Sequence, residues 1–240
     1  MKTRILSVLK LSLLLNVLFV LPAMSQYKPP ATQKPPSDYT KSGGVRGCPE
    51  EKIPLTILSP TTYVGQTASR RPTFAWFLNS AHETEFRLFE STQNGKPKPL
   101  GEPINLPASK GINNIPLPKN YSELAVGKTY LWQVSISCPD TPNAFLIQRA
   151  EFQVVEAAFP SNKQVITSTS QTVNFYAQQG LWYDALAEAL KLSPQGKLGE
   201  VGSKLLQSLA QSEQKGGGIS NEQELQQRIE NLKIIANQEK

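Results

Sequence analysis

The sequence predicts an α+β protein in which an antiparallel β-sandwich is followed by a small helical bundle. The first observation is a series of short, β-rich segments separated by turn residues between residues 45 and 158. The second is that apolar residues recur at spacings of three and four after residue 161, which is typical of amphipathic helices. Because the two signals occupy separate stretches, we expect a sandwich domain at 45–158 and a helical hairpin plus one further helix at 161–211.

The first 25 residues have the features of a secretory signal peptide. Basic residues lie before and at the start of an apolar stretch, and small residues stand before a predicted cleavage after Ser25. A membrane anchor, the alternative, needs about 20 uninterrupted apolar residues, whereas Lys10 and Asn16 interrupt this segment. We therefore expect residues 1–25 to be removed, a periplasmic or secreted protein, and no transmembrane segment after cleavage.

The charge balance argues against a nucleic-acid partner. The chain carries 25 basic and 19 acidic residues, a formal net charge of +6. Removal of the predicted signal peptide takes away three basic and no acidic residues, which leaves a net charge of +3. A nucleic-acid binder needs a clustered basic face, and this sequence has none.

The two cysteines, Cys48 and Cys138, both lie in the exported portion. In an oxidising compartment two thiols most simply form one disulfide. Such a bond closes a loop of about 90 residues and stabilises the fold by roughly 4 kcal/mol in the loop-entropy model. The alternative is a reactive thiol, for which no basic partner lies nearby in the sequence.

Residues 26–44 combine paired prolines with small polar residues and almost no apolar side chains. This composition predicts a disordered, proline-rich spacer of polyproline character, because it offers too little apolar surface to offset chain entropy. A proline-motif ligand for a partner is the alternative interpretation.

The segment KTYLWQVSISC predicts the clearest strand, with Tyr130, Trp132 and Cys138 on one alternating face. Just before it, Leu124, Gly127 and Tyr130 have a spacing similar to the leucine-glycine-tyrosine corner of fibronectin type III domains. We therefore expect an immunoglobulin- or fibronectin III-like sandwich in which Tyr130 is structural. Trp132, with Trp76, is predicted to pack in the core, and a carbohydrate-binding platform is the alternative.

The helical part centres on FYAQQGLWYDALAEALKLSP. Gly180 is expected to end the first helix, and Trp182 and Ala185 to pack the hairpin from one apolar stripe. Asp184 falls in the first turn of the second helix, where its charge suits the helix dipole. Tyr183 has no structural role in this pattern and is therefore a candidate contact for the sandwich, the solvent or a partner.

The C-terminal part reads as a Gly-rich hinge at 212–220 followed by an amphipathic tail helix at 221–238. Its apolar residues share one face, so the helix either docks on a partner, self-associates, or packs weakly on its own domain. At this length the pattern does not decide among these. The apolar residues are Leu225, Ile229, Leu232 and Ile235.

The usual catalytic constellations are missing from the sequence. His82 is the only histidine and lies in a predicted loop, so a multi-histidine metal site cannot form. No GxSxG, HExxH or phosphate-binding glycine motif occurs. The nearest pair of carboxylates, Glu83 and Glu85, is typical of a solvated strand face. We expect no enzyme, no cofactor and no metal, and keep a hydrolase that uses His82 as an alternative.

Several segments, in order, resemble a cyanobacterial family known as domain of unknown function 928. They are GGVRGC, LTILSP, GQTASRRPTFAWF, EFRLFE, GINNIPLP, LAVGKTYLWQVSISC and YAQQGLWYDAL, and the resemblance covers roughly residues 43–209. It implies an exported protein with a two-part layout and no established activity. Gly180, Trp182 and Ala185 also resemble one tetratricopeptide unit, which implies a helical hairpin.

These features predict a non-enzymatic module for interaction or scaffolding at the cell envelope, with an envelope or extracellular protein as its partner. The inference rests on analogy at the level of the fold. A glycan-binding module that uses exposed aromatic residues is the second hypothesis, and a hydrolase is the third.

Overall fold

A computed structural model describes residues 26–40, 43–44, 53–92, 96–138, 144–156, 168–215 and 222–240. Within these ranges nine strands form two sheets, and four α-helices follow them in the chain. The strands are β1 (Gly43–Gly44), β2 (Thr56–Ile57), β3 (Gly65–Thr67), β4 (Thr73–Leu78), β5 (His82–Glu90), β6 (Lys98–Ala108), β7 (Gly111–Pro116), β8 (Thr129–Ser137) and β9 (Phe145–Val154). The helices are α1 (Thr169–Gln178), α2 (Trp182–Leu190), α3 (Gly199–Lys215) and α4 (Glu222–Gln238).

The large sheet has the strand order β1-β9-β8-β5-β6, and the small sheet has the order β2-β4-β7. Neighbouring strands are antiparallel, except that β3 runs parallel to β9 beside its C-terminal end. Trp132 on β8 lies opposite Leu88 on β5 and Ala150 on β9. The chain changes sheets between β6 and β7, so the two sheets are built from alternating parts of the sequence.

The two sheets face each other across an aromatic core. The ring of Phe74 on β4 lies 5.0 Å from Phe86, 5.1 Å from Trp132 and 5.4 Å from Phe152, all on the large sheet. The predicted inner face of β8 is buried, and Trp132 has no exposed surface. Contacts at these distances are favourable for aromatic pairs, so they join the sheets at the centre of the fold.

The central strand of the small sheet, β4, is buried on both faces. Every residue of β4 after Thr73 is buried, because the large sheet lies on one side and α2 and α4 contact β4 and β2 respectively on the other. This explains why TFAWFL is a continuous apolar run, where a half-exposed strand would alternate. The molecule therefore has three layers, namely large sheet, small sheet and helices.

Residues 26–40 pack on the folded body, and the prediction of a disordered spacer is wrong for them. The ring of Tyr27 is only 3% exposed and lies 5.0 Å from Trp182. The amide of Lys28 donates to Ala177 O at 3.0 Å, and the amide of Ser37 donates to Glu151 Oε2 at 3.0 Å. The buried ring together with these bonds offsets the entropy of ordering the segment, which ends in a short 3-10 helix at Asp38–Thr40.

The helices begin and end largely where the sequence signals place them. Ser168 caps α1 in a capping box with Gln171, and Gly180, with a φ of +77°, follows its C-terminal end. Residues 161–167, where the helical part was expected to begin, lie outside the described residues. No helix in the described ranges is long and apolar enough to cross a membrane.

The tail helix α4 packs on α3. Its predicted apolar face is covered, since Ile229, Leu232 and Ile235 are each at most 1% exposed. The predicted hinge is wrong for residues 212–215, which belong to α3, whereas residues 216–220 lie outside the described part. The apolar face of α4 therefore packs within the chain, and self-association of the tail stays a prediction.

Candidate functional site

Tyr183 connects the helices to both sheets. It projects from the first turn of α2 and is 1% exposed. Its hydroxyl lies 2.7 Å from Ser59 Oγ and accepts a hydrogen bond from Trp132 Nε1 at 3.0 Å. Its ring lies 5.2 Å from Phe152. We call Tyr183, Ser59 and Trp132 the layer joint, because the three residues come from the helices, the β2–β3 loop and the large sheet.

Gly65 in β3 leaves space for the Tyr183 ring. A Cβ atom on Gly65 would come within 3.0 Å of Tyr183 Cε2, so the absence of a side chain there makes room for the ring. Burial raises the pKa of the Tyr183 hydroxyl well above its usual value. The hydroxyl therefore stays protonated and serves as a hydrogen-bonding group within the core.

A buried ion pair ties α3 and α4 to the same β2–β3 loop. Arg228 Nε lies 3.0 Å from Glu213 Oε2, and Glu213 has no exposed surface. Glu213 Oε1 accepts the amide of Thr61 at 2.6 Å, and an Arg228 guanidinium nitrogen donates to Ser59 O at 2.6 Å. Because both charges also bond to the loop, their desolvation is compensated. These contacts make the β2–β3 loop the point where all layers meet.

Asp184 fixes the neighbouring β3–β4 loop. Its carboxylate accepts the amides of Ala68 at 2.9 Å and Ser69 at 3.2 Å. Burial raises the pKa of this carboxyl above its ordinary value, although these amide bonds act in the opposite direction. Asp184 does lie in the first turn of α2 as predicted, and it also holds this loop against the helix.

Beside this contact is an open cavity of about 640 Å³, which we call the junction cleft. One wall is the β3–β4 loop with Arg70 and Arg71, and the opposite wall is α2 with Glu188 and Lys191. The Arg71 guanidinium stabilises the first wall by donating hydrogen bonds to Pro118 O and Tyr121 O, both at 2.9 Å. The cleft therefore presents groups of both charges on walls from two layers. Its rim also includes Val126, Glu156 and Tyr176.

The sequence model of the family described as Domain of Unknown Function (DUF928) matches residues 41–223. The chain belongs to this family. The match extends beyond the resemblance seen in the sequence, which ended near residue 209, and it includes the rest of α3 and the first two residues of α4.

Solved structures offer only distant similarity to the DUF928 chain. A lytic polysaccharide monooxygenase important for efficient utilization of chitin in Cellvibrio japonicus is 12% identical over 38% of this chain, with a TM-score of 0.27. The DUF928 chain spans only 54% of that protein. CsgH from R. palustris is 5% identical over 42% of this chain and 92% of its own, with a TM-score of 0.21. A search of the curated proteins finds no match.

The tyrosine corner of the DUF928 chain has the bond that its spacing predicts. The amide of Ala125 donates to the Tyr130 hydroxyl at 2.8 Å. Leu124 is buried, and Gly127 has a φ of +84°, which favours glycine. These three residues fix the turn that leads into β8.

The helix-hairpin residues of the DUF928 chain are packed inside the molecule. Trp182 and Ala185 have no exposed surface, and Trp182 Nε1 donates to Leu58 O at 2.9 Å. The sequence allowed Tyr183 to contact the sandwich, the solvent or a partner. In the structure it contacts the sandwich. A contact of Tyr183 with a partner is therefore excluded in this conformation, because the ring is buried.

Two predictions for the DUF928 chain need correction, namely the loop position of His82 and the glycan platform of tryptophans. His82 begins β5 and does not lie in a loop, and its Nε2 is 2.9 Å from Ser80 Oγ. Glu85 is held by Arg87 on the same strand at 2.6 and 2.9 Å. The tryptophan platform for glycans is wrong, because Trp76, Trp132 and Trp182 have no exposed surface. The described residues contain no group of three potential metal ligands.

The predicted disulfide involves one described residue. Cys138 follows β8 and is 6% exposed, in agreement with the inward direction that the alternation predicts. Cys48 lies outside the described residues, so its pairing with Cys138 stays a prediction.

Proposed function

We propose that this DUF928 protein is an exported, non-enzymatic interaction module whose junction cleft binds an extended segment of an envelope or extracellular protein. The observation that carries the proposal is the cleft itself, an open cavity of about 640 Å³ between the β3–β4 loop and α2. Export rests on the signal-peptide features of residues 1–25, and the Cys48–Cys138 disulfide belongs to the same proposal.

The chemistry of the cleft favours a polypeptide ligand. Arg70 is exposed on one wall, and among the described residues the exposed Lys191 on the other wall is paired only with Glu188, at 2.6 Å. Surface pairs of this kind contribute little to stability, so these charged groups are available to a partner. Val126, 40% exposed at the rim, adds an apolar contact. A peptide that carries charged and apolar side chains complements this combination.

The rigidity of both walls supports the same conclusion. Asp184 holds the β3–β4 loop, and Tyr183 holds α2 in the core. A preformed cleft loses less conformational entropy on binding than a mobile one.

We further infer that the sheets form a fibronectin type III-like sandwich. The order β2-β4-β7 in one sheet and β9-β8-β5-β6 in the other, together with the Tyr130 corner, supports this. Such sandwiches commonly present binding surfaces, which is an argument by analogy.

The experiment compares proteins captured by cross-linking from envelope extracts on the mature chain, on Arg70→Glu and on Lys110→Glu. Both substitutions reverse one exposed cation, but Lys110 lies at the β6–β7 turn, away from the cleft. We expect a partner that is bound by the wild type and by Lys110→Glu and is lost with Arg70→Glu. Equal capture by all three proteins, or no partner with any of them, contradicts the proposal.

A further inference from the structure

The outer face of the large sheet contains a second cavity, of about 520 Å³, which we call the outer groove. It lies near Ser137 and Phe145, whereas the junction cleft lies near the opposite ends of β8 and β9. Its volume falls within the range of about 300–1,000 Å³ that is usual for small-molecule sites. The lining residues include Glu85, Arg87, Asn105, Gln133, Ser135 and Phe145.

The register of the sheet places these side chains side by side. Ser135 on β8 lies opposite Glu85 on β5 and Ile147 on β9, and Asn105 on β6 continues the row beyond Glu85. Because Trp132 and Val134 face the core, the alternating Gln133 and Ser135 face outward. Three adjacent strands, β6, β5 and β8, thus contribute to one continuous polar surface, and β9 borders it.

The floor of the outer groove contains a polar group without a partner. Ser135 is only 6% exposed, and its hydroxyl has no hydrogen-bond partner among the described residues. The hydroxyl oxygen is not one of the fully buried polar atoms that lack a partner, so it is reached from the groove. By contrast, the Gln133 carbonyl accepts from Arg149 Nε at 2.8 Å. The Ser135 hydroxyl is therefore available to a ligand that enters the groove.

An apolar surface stands beside this polar floor. Phe145 is 40% exposed, one of the few large apolar side chains in the described residues with that much exposure, and Ile147 follows on the same face. A ligand for this site needs hydroxyl groups for Ser135, Gln133 and Asn105 and an apolar face for Phe145. A pyranose ring has both, with hydroxyls at its edge and C–H groups on its faces.

We propose that the outer groove binds a neutral glycan chain, with a sugar ring stacked on Phe145 and its hydroxyls bonded to Ser135 and Asn105. An added peptide strand fits less well, because it needs an open sheet edge and β5 and β8 are paired on both sides. A nucleic acid fits less well because Glu83 and Glu85 outnumber Arg87 in the lining. The site is independent of the junction cleft and of its partner.

The experiment titrates the mature chain with soluble oligosaccharides of glucose, xylose, mannose and N-acetylglucosamine, followed by amide chemical shifts in NMR. We expect at least one to bind and to shift amides of β5, β8 and β9. Phe145→Ala should weaken that binding by about tenfold through loss of stacking. Leu192→Ala, which truncates another exposed apolar residue, at 46% exposure, should leave it unchanged.

Three results overturn the proposal. They are no binding by any of these oligosaccharides at millimolar concentration, binding that Phe145→Ala does not weaken, and shifts confined to residues outside the outer groove. The first of these results overturns the proposal even where peptides bind in the groove.

Discussion

The indole nitrogen of Trp132 lies in the core of the sheets, and its hydrogen-bond partner is the Tyr183 hydroxyl at 3.0 Å. A buried donor that loses its partner keeps the full cost of its desolvation. Tyr183 therefore contributes more than ring packing, since it satisfies a polar group of a different layer. The same holds for Asp184, which bonds two amides of the β3–β4 loop.

Replacing Tyr183 by Phe keeps the ring and removes the hydroxyl from Trp132 Nε1 and Ser59 Oγ. We expect the free energy of unfolding to fall by about 1–3 kcal/mol, measured by urea denaturation. Tyr39→Phe is the matched control, because Tyr39 is partly exposed, and its effect should be small. Equal stability of Tyr183→Phe and the wild type contradicts the layer joint.

The buried carboxyl of Asp184 predicts how the free energy of unfolding depends on pH. Burial raises its pKa in the folded state, so the folded protein binds the proton more tightly than the unfolded chain, whose Asp pKa is about 3.9. Stability from this group therefore rises as the pH falls from above the raised pKa toward about 4. The unfolding free energy of the wild type minus that of Asp184→Asn should therefore become more positive as the pH falls over this range. A difference that shrinks on acidification shows that the amide bonds dominate instead.

At the scale of elements, the N-terminal segment acts as part of the helical layer. Tyr27 lies against Trp182, and the amide of Lys28 bonds to α1. Gly180 approaches this segment closely, since a Cβ there would lie 3.1 Å from Pro30 N. The contact thus depends on the same glycine that follows α1.

Tyr27→Ala removes a buried ring and should lower the unfolding free energy by about 3 kcal/mol or more, measured by urea denaturation. Lys28→Ala, which changes an exposed neighbour and keeps its backbone bond, should have little effect. If residues 26–40 were a spacer, neither substitution would change stability.

The elements that the sequence predicts well are those whose pattern lies within one short stretch of the sequence. The alternation in β8, the corner at Tyr130 and the apolar face of α4 are of this kind. Docking of residues 26–40 could not be predicted, because a proline-rich composition shows that a segment is extended and not what it contacts. The contact of Tyr183 was left open because a helix normally buries one stripe, whereas α2 also buries the side on which Tyr183 lies.

Of the candidate sites, little could be predicted from the sequence. Glu213 and Arg228 look like ordinary surface charges, and only the packing of α3 on α4 brings them together at 3.0 Å. The outer groove was missed because its residues come from four strands and form no motif. Phe145 was not selected, because a single exposed aromatic residue in a strand has no sequence signature.

At the scale of the whole molecule, the hydrophobic core is continuous through all three layers. Phe74 of the small sheet, Trp132 of the large sheet and Leu232 of α4 belong to one cluster. The sequence suggested a sandwich domain and a helical domain in succession. With a shared core and a polar joint between them, we expect the two parts to fold and unfold as one unit, and the junction cleft between them to keep its shape.

Urea denaturation followed by two signals tests this claim most directly. Tryptophan fluorescence reports mainly on the sheets, because two of the three tryptophans, Trp76 and Trp132, lie there and only Trp182 lies in a helix. Far-UV circular dichroism reports mainly on the four α-helices. We expect one transition with the same midpoint in both signals. A helical signal that is lost at a lower urea concentration than the fluorescence signal would contradict the single body and, with it, a preformed junction cleft.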